Sequence, residues 1–398
     1  MVSDRFNANG CCMIYRELCS SSVSAMEAFS PAHFQRENAD RVSEVSTEEL
    51  HSFRSCSHSG FNFSSAEGAR AKASEKVENL EIRHTPVLHN EISQIVMSLA
   101  PGTFVDATIG AGGHSTDILS LRNDIRVIGI DRDVEALSIT DRRFKENGFE
   151  GRYELIHGTF DLIGSLKLHE EIVGVLFDFG MSSMQVDDGS RGFSFNHEGP
   201  LDMRMDQSSK LSADSVVNEF SKEELARVIR DFGDERFAER IAMFIVRSRP
   251  ILSTTQLASI VRDAIPQSAR RTGGHPAKRT FQAIRILVND EKSQLQKGIE
   301  NAMSVVAKDG VVIGISYHSG EDREVKRLFD LGVTGGCVCP PQLPCVCGAQ
   351  KSFAYLGPRK GLRPSPSELG ENPRSKSAHL RAVRRIKKEL VLGGSNGS

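Results

Sequence analysis

A glycine-rich turn and a carboxylate nineteen residues beyond it are the residues best placed to do chemistry. The turn, Gly110-Ala-Gly-Gly-His114, follows an apolar run, and Asp131 closes the next apolar run nineteen residues after Gly112. Glycines let a backbone approach a ligand closely because no Cβ intervenes, and the start of a following helix offers unpaired N–H groups. A carboxylate at the tip of the next strand could accept hydrogen bonds from both hydroxyls of a ribose. The spacing is typical of a nucleotide-binding βαβ unit, with a purely structural turn as the alternative.

The make-up of the turn favours one nucleotide cofactor over the others. It lacks the third glycine that allows a helix to pack closely on its strand in dinucleotide-binding proteins. S-adenosylmethionine has no pyrophosphate, so a small turn with His114 at the helix start suits its amino-acid carboxylate or its ribose. Phe160, just past the third predicted strand, could lie against an adenine ring or serve as an ordinary core residue. We therefore expect S-adenosylmethionine, with an NAD-dependent oxidoreductase as the first alternative.

The elements that position these residues alternate between strand and helix. Apolar runs at 103–109, 126–130, 153–156 and 173–179 are typical of strands, and helical stretches lie between them. This alternation predicts parallel βαβ units in a doubly wound α/β sheet with right-handed crossovers. Asp178 closes the fourth predicted strand, at the carboxyl edge where open α/β sheets bind their ligands.

Changes of pattern along the chain mark the predicted domains. Residues 81–187 and 291–350 carry the strand signals, whereas 188–290 show helical periodicity, which predicts an inserted all-helical domain. Residues 1–80 are rich in Ser, Asn, Glu and Ala, and we predict a disordered N-terminal extension. Residues 351–398 form a basic C-terminal segment with eleven Lys and Arg residues against three Asp and Glu residues. Such a segment suits a phosphate backbone or a solvated chain end.

Composition argues against several classes of protein. The formal net charge of −2 carries no information about a nucleic-acid partner. No apolar run approaches the roughly 18 residues that a membrane helix needs, so we expect no membrane partner. Charged residues interrupt the start of the chain, and acidic residues are frequent up to Leu80, which disfavours secretory and organelle targeting. We predict a cytoplasmic location.

Four of the eight cysteines lie close together, in the segment Cys337-Val-Cys339-Pro-Pro-Gln-Leu-Pro-Cys345-Val-Cys347. Four thiols invite a zinc site, but structural zinc sites usually separate paired cysteines by about two to four residues. A single intervening residue gives a strained chelate, and on a strand it places both thiols on one face. We therefore expect a proline-capped hairpin with buried thiols and no metal, with zinc as the alternative.

Several runs of residues together resemble the RsmH (MraW) family of ribosomal-RNA methyltransferases. The runs are Asp106-Ala-Thr-Ile-Gly-Ala-Gly-Gly-His-Ser115, Gly129-Ile-Asp-Arg-Asp133, His157-Gly-Thr-Phe160, Asp178-Phe-Gly-Met-Ser-Ser-Met-Gln185, Arg191-Gly-Phe-Ser-Phe195, Gly199-Pro-Leu-Asp-Met-Arg-Met-Asp206, His275-Pro-Ala-Lys-Arg-Thr-Phe-Gln-Ala-Ile-Arg-Ile-Leu-Val-Asn-Asp-Glu291 and Asn372-Pro-Arg-Ser-Lys-Ser-Ala-His-Leu-Arg381. The resemblance covers residues from about 82 to about 390. It implies a class I S-adenosylmethionine-dependent methyltransferase (Rossmann-like) sheet with an inserted all-helical domain.

The same resemblance implies a reaction and a partner. The reaction is methyl transfer to the exocyclic N4 of a cytidine in the decoding region of small-subunit (16S-type) ribosomal RNA. We expect this RNA, within the small ribosomal subunit, as the partner, while the sequence leaves the oligomeric state open, a homodimer being one option. The residues implied as cofactor contacts are Gly112, Gly113, His114, Asp131, Phe160, Asp178 and Gln185.

Candidates for catalysis lie at the predicted carboxyl edge of the sheet. Asp178 could accept a hydrogen bond from the cofactor's amino group or from the target amine, and the resemblance favours the cofactor. Ser182 and His318, with Ser183 and Ser316, are candidates to orient the base, although His318 could equally be a satisfied polar residue at a strand end. The cations expected to face RNA are Arg191, Lys278, Arg279 and Arg285.

Two runs depart from related patterns. The family usually has Ser-Phe-His-Ser-Leu where this chain has Ser316-Tyr-His-Ser-Gly320. Many amino-methyltransferases carry Asp-Pro-Pro-Tyr at the strand edge, whereas the run Asp178-Phe-Gly-Met lacks that stacking aromatic residue. Gly320 favours a second alternative, a ribosome-assembly factor that kept the fold and lost turnover.

Overall fold

Seven strands form a single sheet in the computed structural model of the chain. They are β1 (Gly102–Asp106), β2 (Ile125–Asp131), β3 (Tyr153–His157), β4 (Ile172–Asp178), β5 (Val306–Ser316), β6 (Phe353–Tyr355) and β7 (His379–Arg385). Their order across the sheet is β3-β2-β1-β4-β5-β7-β6. The first five strands pair in parallel, and β7 runs antiparallel to both β5 and β6. The predicted doubly wound α/β sheet is confirmed.

The structure describes residues 85–166, 170–270, 274–340, 342 and 344–387. The predicted N-terminal extension, residues 1–80, therefore lies outside the described residues, as do the last residues of the basic C-terminal segment, 388–398. Within the described ranges, every helix is too short or too polar to cross a membrane.

Helices cover both faces of the sheet and fill the long connection between β4 and β5. They are α1 (His89–Met97), α2 (Gly113–Leu121), α3 (Val134–Glu146), α4 (Ser183–Asp187), α5 (Ala213–Glu219), α6 (Lys222–Gly233), α7 (Ala238–Arg247), α8 (Thr254–Ala264), α9 (Gln267–Arg270), α10 (Lys278–Val288), α11 (Glu291–Val305), α12 (Ser319–Thr334) and α13 (Pro366–Glu371). Short 3₁₀ turns lie at Phe160–Ser165, Gly189–Arg191 and Pro373–Ser377.

The central strands are apolar on both faces because each face is covered. Six of the seven residues of β4 are buried, as are four of the five residues of β1. Successive side chains of a strand point to opposite faces, so neighbours in sequence belong to different cores. One hydrophobic cluster contains Phe104, Leu176 and Ile313, and the other contains Val105, Phe177 and Val312. Because both faces are packed, the positions of the residues at the carboxyl ends of these strands are well defined.

The helices between β4 and β5 bury a hydrophobic cluster of their own, with members from Phe193 to Val288. In α6, the residues Leu225, Ala226 and Ile229 supply one buried face, at helical spacing. A Cβ on Gly233 would lie 2.6 Å from the carbonyl oxygen of Arg279, so α6 and α10 cross closely. A separate core is what the predicted helical insertion requires, and its limits at 188 and 290 stay a prediction.

Candidate active site

Three aspartates end three neighbouring strands at one edge of the sheet. Asp106, Asp131 and Asp178 are the last residues of β1, β2 and β4, and β1 lies between the other two. Burial raises the pKa of Asp106 to about 6 and that of Asp178 to about 7, and it also raises the pKa of Asp131. The chain leaves β1 and β4 at the point where the strand order reverses, which is where open α/β sheets form their ligand crevice.

The glycine turn is fixed against α3 by close contacts. Gly110 and Gly112 have φ angles of 51° and 75°, a region that favours glycine. A Cβ on Gly112 would lie 2.9 Å from Cγ2 of Thr140 and 3.0 Å from Cε1 of Phe144. The Thr140 hydroxyl also donates to the carbonyl oxygen of Gly110 at 2.7 Å. A side chain at position 112 would therefore displace the turn as well as strain it.

The carboxylate of Asp131 faces the glycine turn. Its Oδ2 accepts from the Gly110 N–H at 2.8 Å, and its Oδ1 accepts from the Asp133 N–H at 2.9 Å. Each carboxylate oxygen can accept a second hydrogen bond, so capacity remains for two hydroxyl donors of a ligand. This contact agrees with the βαβ unit that the nineteen-residue spacing of Gly112 and Asp131 predicts.

His114 brings a buried nitrogen to the same edge. Its Nε2 is buried, without a hydrogen-bond partner among the described residues, and lies 3.8 Å from Oδ2 of Asp178. Burial, with a smaller effect of His89, lowers the pKa of His114 to about 3, so the imidazole is neutral. An unpaired buried polar atom costs about 1–3 kcal/mol. A polar ligand atom here would remove that cost.

These features fit S-adenosylmethionine. The carboxylate of Asp131 suits the two ribose hydroxyls, and the glycine turn lets the backbone approach a ligand. The buried nitrogen of His114 suits the polar amino-acid end of the cofactor. Gly113, at the start of α2, lies against Pro86, where a Cβ would come within 2.9 Å of the proline ring.

Phe160 is mostly a core residue. Its ring makes edge contacts with Phe177 and Phe179, with centroids 5.6 and 6.1 Å apart, and a Cβ on Gly298 would overlap it. Only 9% of the residue is exposed. Of the two sequence interpretations, the structure supports core packing for most of the ring, which leaves one small edge for an adenine.

Gln185 uses both ends of its amide within the protein. Its Nε2 donates to Oδ2 of Asp133 at 3.0 Å, and its Oε1 accepts from the Ser182 N–H at 3.3 Å. The Ser182 hydroxyl oxygen accepts from the Gln185 N–H, which completes a capping box at the start of α4. Gln185 therefore holds Asp133 and is itself held by Ser182, and the cofactor contact expected of Gln185 and the catalytic role expected of Ser182 stay predictions.

Asp133 is a site residue that the sequence analysis missed. Its Oδ2 accepts from Gln185 and from Nη2 of Arg191, each at 3.0 Å, while its own N–H donates to Asp131. The signal was present in the run Gly129-Ile-Asp-Arg-Asp133, where a second carboxylate follows the first at a distance of two residues.

The expectation that Arg191 faces RNA is wrong. Its side chain is only 12% exposed and, besides Asp133, it donates to the carbonyl oxygens of Arg204 and Met205 at 3.2 and 3.0 Å. Arg191 thus connects the run 199–206 with the carboxylate of Asp133. Arg191 therefore holds Asp133, whose N–H donates to Asp131.

Arg285 is also buried, which contradicts the RNA-facing role expected for it. Both of its bonds to the Glu291 carboxylate are 2.7 Å long, and Nη2 lies 3.7 Å from Oε1 of Glu321. These contacts join α10, α11 and α12. Lys278 and Arg279, in contrast, are exposed in the first turn of α10.

An aromatic hydroxyl reaches Asp178 from a distant part of the chain. Tyr317 directly follows β5, and its hydroxyl donates to Oδ1 of Asp178 at 2.8 Å. Its ring lies beside Gly180, where a Cβ would come within 3.3 Å. Tyr317 thus places an aromatic ring beside the run that follows Asp178. The sequence showed only that Tyr317 stands where the family usually has Phe, and gave no sign of this contact.

His318 is occupied by Glu321. Its Nδ1 accepts from the Glu321 N–H at 3.3 Å and caps α12, while Nε2 lies 2.9 Å from Oε1 of the same residue. Oε2 of Glu321 accepts from the Tyr317 N–H at 2.8 Å. Although burial raises the pKa of Glu321, the nearby His318 and Arg285 hold it below its usual value. The Nδ1 of His318 therefore has a hydrogen bond, whereas its buried Nε2 lies close to Glu321 without a hydrogen-bond partner among the described residues. The catalytic role expected for His318 stays a prediction.

Comparisons with known proteins agree with this architecture. A family model described as the MraW methylase family matches residues 81–386. Ribosomal RNA small subunit methyltransferase H of Symbiobacterium thermophilum is 46% identical over 312 residues, which cover 76% of this chain and 97% of that protein. The protein of the same name from Halothermothrix orenii is 43% identical over 313 residues, covering 77% and 99%.

Among solved structures, an rRNA methylase from Streptococcus thermophilus matches 76% of this chain and 99% of its own, at 12% identity and a TM-score of 0.36. That score is too low to support an argument about this chain. The family model and the relatives need no such support, because the match spans nearly all of the residues that the structure describes. The sheet, the glycine turn with its carboxylate and these matches together establish that the chain belongs to the MraW methylase family.

Proposed function

We propose that the protein transfers a methyl group from S-adenosylmethionine to the exocyclic N4 of a cytidine in small-subunit ribosomal RNA. The observation that carries the proposal is the arrangement at the sheet edge. A cofactor half, made of the glycine turn and Asp131, lies beside a carboxylate, Asp178, that is held by Tyr317. Relatives named ribosomal RNA small subunit methyltransferase H support the RNA class.

Position in the sheet separates the two roles. Asp131 ends β2, and the glycine turn follows β1, so the ribose side of the cofactor belongs to that half of the edge. Asp178 ends β4, on the other side of β1, next to β5. We therefore assign Asp178 to the target amine rather than to the cofactor's amino group.

The chemistry requires help because the N4 lone pair of cytosine is delocalised into the ring and is a poor nucleophile. When bound, S-adenosylmethionine supplies an activated methyl on a sulfonium whose leaving group is a neutral thioether. Asp178 accepts a hydrogen bond from N4–H, holds the amine in line and takes its proton as the new bond forms. Orientation of this kind contributes up to about 7–11 kcal/mol in favourable systems. Tyr317 keeps the carboxylate in place by donating to its other oxygen.

A base in structured RNA must leave its stack to reach this edge. Lys278 and Arg279 are exposed at the start of α10, and Arg279 also donates to the carbonyl oxygen of Asp234 at 3.1 Å. We assign both cations to the phosphate backbone beside the extruded base, because such contacts position an RNA without reading its sequence. Removal of either charge would weaken binding of every RNA to a similar degree and reduce its salt dependence.

The contacts of Gly320 do not support the alternative of a ribosome-assembly factor without catalytic turnover. A Cβ there would lie 3.2 Å from the ring of His318, so the glycine affects the capping residue of α12 and leaves Asp178 and Tyr317 untouched.

The test is incubation of small subunits from an unmethylated strain with cofactor labelled in its methyl group. Mass mapping of the digested RNA should locate the label in N4-methylcytidine. Label in another nucleoside would contradict the assignment of N4, and cofactor binding without any transfer would favour the assembly factor. Calorimetry with S-adenosylhomocysteine and with NAD separates the oxidoreductase alternative, since only the former should bind.

A further inference from the structure

The four clustered cysteines have the arrangement of metal ligands. The Sγ atoms of Cys337, Cys339, Cys345 and Cys347 all lie within 4.8 Å of one another. Three of the separations are 3.4 Å (Cys337 to Cys345), 3.5 Å (Cys345 to Cys347) and 3.5 Å (Cys347 to Cys337). Tetrahedral zinc with Zn–S bonds of about 2.3 Å places its sulfurs about 3.8 Å apart, whereas a disulfide needs about 2.05 Å. The thiols therefore surround a common centre instead of forming pairs.

The expected hairpin with buried thiols is wrong. No described residue between α12 and β6 lies in a strand, and Cys345 and Cys347 are exposed while Cys337 and Cys339 are half-buried. The one-residue spacing, which made zinc the alternative rather than the expectation, does not prevent the four sulfurs from converging on one point. Each Cys-Val-Cys arm turns its sulfurs inward and its valine outward, and Val338 and Val346 are each 89% exposed.

The backbone supports thiolate sulfurs. The N–H groups of Cys339 and Ala349 donate to the sulfurs of Cys337 and Cys347. Gly348 has a φ of 70°, which lets the chain turn back so that Ala349 can donate. Hydrogen bonds of this type to ligand atoms orient them and stabilise their negative charge.

The described residues around the four cysteines, between 335 and 350, bury no hydrophobic side chain that could hold the segment. Its two valines are exposed to solvent. Where the segment leaves α12 and enters β6, the Ser352 N–H donates to the carbonyl oxygen of Gly332 at 3.1 Å. Just beyond, Phe353 begins the edge strand β6 and is fully buried. A loop with exposed valines and exposed or half-buried thiols needs another source of order, and a structural metal supplies folding free energy directly.

We propose that Cys337, Cys339, Cys345 and Cys347 bind one structural Zn²⁺ ion that closes the connection between α12 and β6. Four thiolates complete a tetrahedral shell and leave no open position for catalysis. A set of four soft sulfur ligands selects zinc or iron and rejects Mg²⁺ and Ca²⁺. The site lies away from the reactive edge, because α12 starts beside Tyr317 and its sixteen residues span about 24 Å. The proposal does not depend on the assignment of the substrate.

The test is metal analysis of the full-length protein, purified under reducing, oxygen-free conditions without chelator. We expect about one equivalent of zinc. The variant C345S/C347S should fall to the zinc level of the buffer, whereas C11S/C12S, which removes two thiols outside the cluster, should keep its metal. Replacement of zinc by Co²⁺ should give the visible absorption of a tetrahedral thiolate site in the wild type and in C11S/C12S, and not in C345S/C347S.

A second measurement guards against misfolding of the variant. C345S/C347S should bind S-adenosylhomocysteine with wild-type affinity, because the cluster is remote from Asp131, and should be cleaved faster by protease between α12 and β6. Wild-type protein that neither carries zinc nor takes up Co²⁺, a Cys–Cys disulfide in the reduced preparation, iron in place of zinc, or equal zinc loss in C11S/C12S would each overturn the proposal.

Discussion

The two halves of the reactive edge are built in different ways. The cofactor half is local: the Gly110 N–H reaches Asp131 across 21 positions of sequence, and Thr140 reaches the turn across 30. The proposed methyl-acceptor half depends on a long-range contact, since Tyr317 meets Asp178 across 139 positions. The first half relies on glycines and main-chain N–H groups, and the second on side chains at the ends of β4 and β5, which the helical insertion separates in sequence. The difference predicts that damage to the first half weakens binding, whereas damage to the second slows the chemistry.

The largest effect should come from Asp178→Asn, which removes the acceptor for the N4 proton. We expect the single-turnover rate on unmethylated small subunits to fall by about 10²–10⁴-fold, the usual contribution of a positioned base. Affinity for S-adenosylhomocysteine, measured by calorimetry, should stay close to the wild-type value. Asp187→Asn, an exposed carboxylate paired with Arg374, is the control and should change neither quantity. A large loss of cofactor affinity in Asp178→Asn would place Asp178 on the cofactor instead.

Asp131→Ala should have the opposite profile. It removes the acceptor of two backbone N–H groups and of the proposed ribose hydroxyls, and hydrogen bonds to a charged group contribute about 1.5–3 kcal/mol. We expect affinity for S-adenosylhomocysteine to fall by at least about 100-fold, which corresponds to about 2.7 kcal/mol. Glu146→Ala, at the exposed end of α3, is the matched control. Wild-type affinity in Asp131→Ala would remove this carboxylate from the cofactor site.

A smaller loss of stability and of cofactor affinity should follow from Gly112→Ala. The new Cβ would contact Thr140 and Phe144, and the alanine would have to adopt a positive φ. Gly148→Ala separates the two causes: Gly148 has a φ of 71°, yet a Cβ there would meet no described atom within 4 Å. Both variants should lose about 1–3 kcal/mol of stability from backbone strain, measured by urea unfolding. Only Gly112→Ala should lose more than that and weaken cofactor binding. Equal losses in both would mean that the close approach of the turn to α3 is unimportant.

The smallest effect should be a shift in pH dependence on Tyr317→Phe. Asp178 must be ionised to accept the amine proton, and its pKa lies near 7, so the rate should rise with pH through that region. The Tyr317 hydrogen bond lowers the pKa of Asp178, and its loss should move the rising limb to higher pH. The plateau rate should be largely retained, because Phe is the residue that the family usually has here. An unchanged limb would show that Tyr317 does not act on Asp178.

The sequence predicts the local half of the site much better than the distant half. Gly110, Gly112 and Asp131 could be placed because spacing along a βαβ unit determines which strand tip they reach. The parallel sheet followed from the same alternation of strand and helix signals. These inferences need only short-range pattern, and the structure agrees with all of them.

Long-range pairing hid the roles of the charged residues. We expected Arg191 and Arg285 to face RNA, because the sequence does not show their ion pairs. In the structure Arg191 pairs with Asp133 and Arg285 pairs with Glu291. For His318 the sequence left two interpretations open, and it could not show that the side chain lies against Glu321, whose N–H donates to Nδ1. For the cysteines the expected hairpin with buried thiols is wrong, and while their spacing argues against a metal, their convergence is the basis of the zinc proposal.

The most direct test of the division between the two halves is the methylation rate as a function of cofactor concentration, measured for Asp131→Ala and Asp178→Asn on the same small subunits. The account predicts that the Asp131→Ala rate climbs toward the wild-type plateau at high cofactor, while Asp178→Asn stays low at every concentration. A plateau lowered equally in both variants, or recovery of Asp178→Asn at high cofactor, would contradict it.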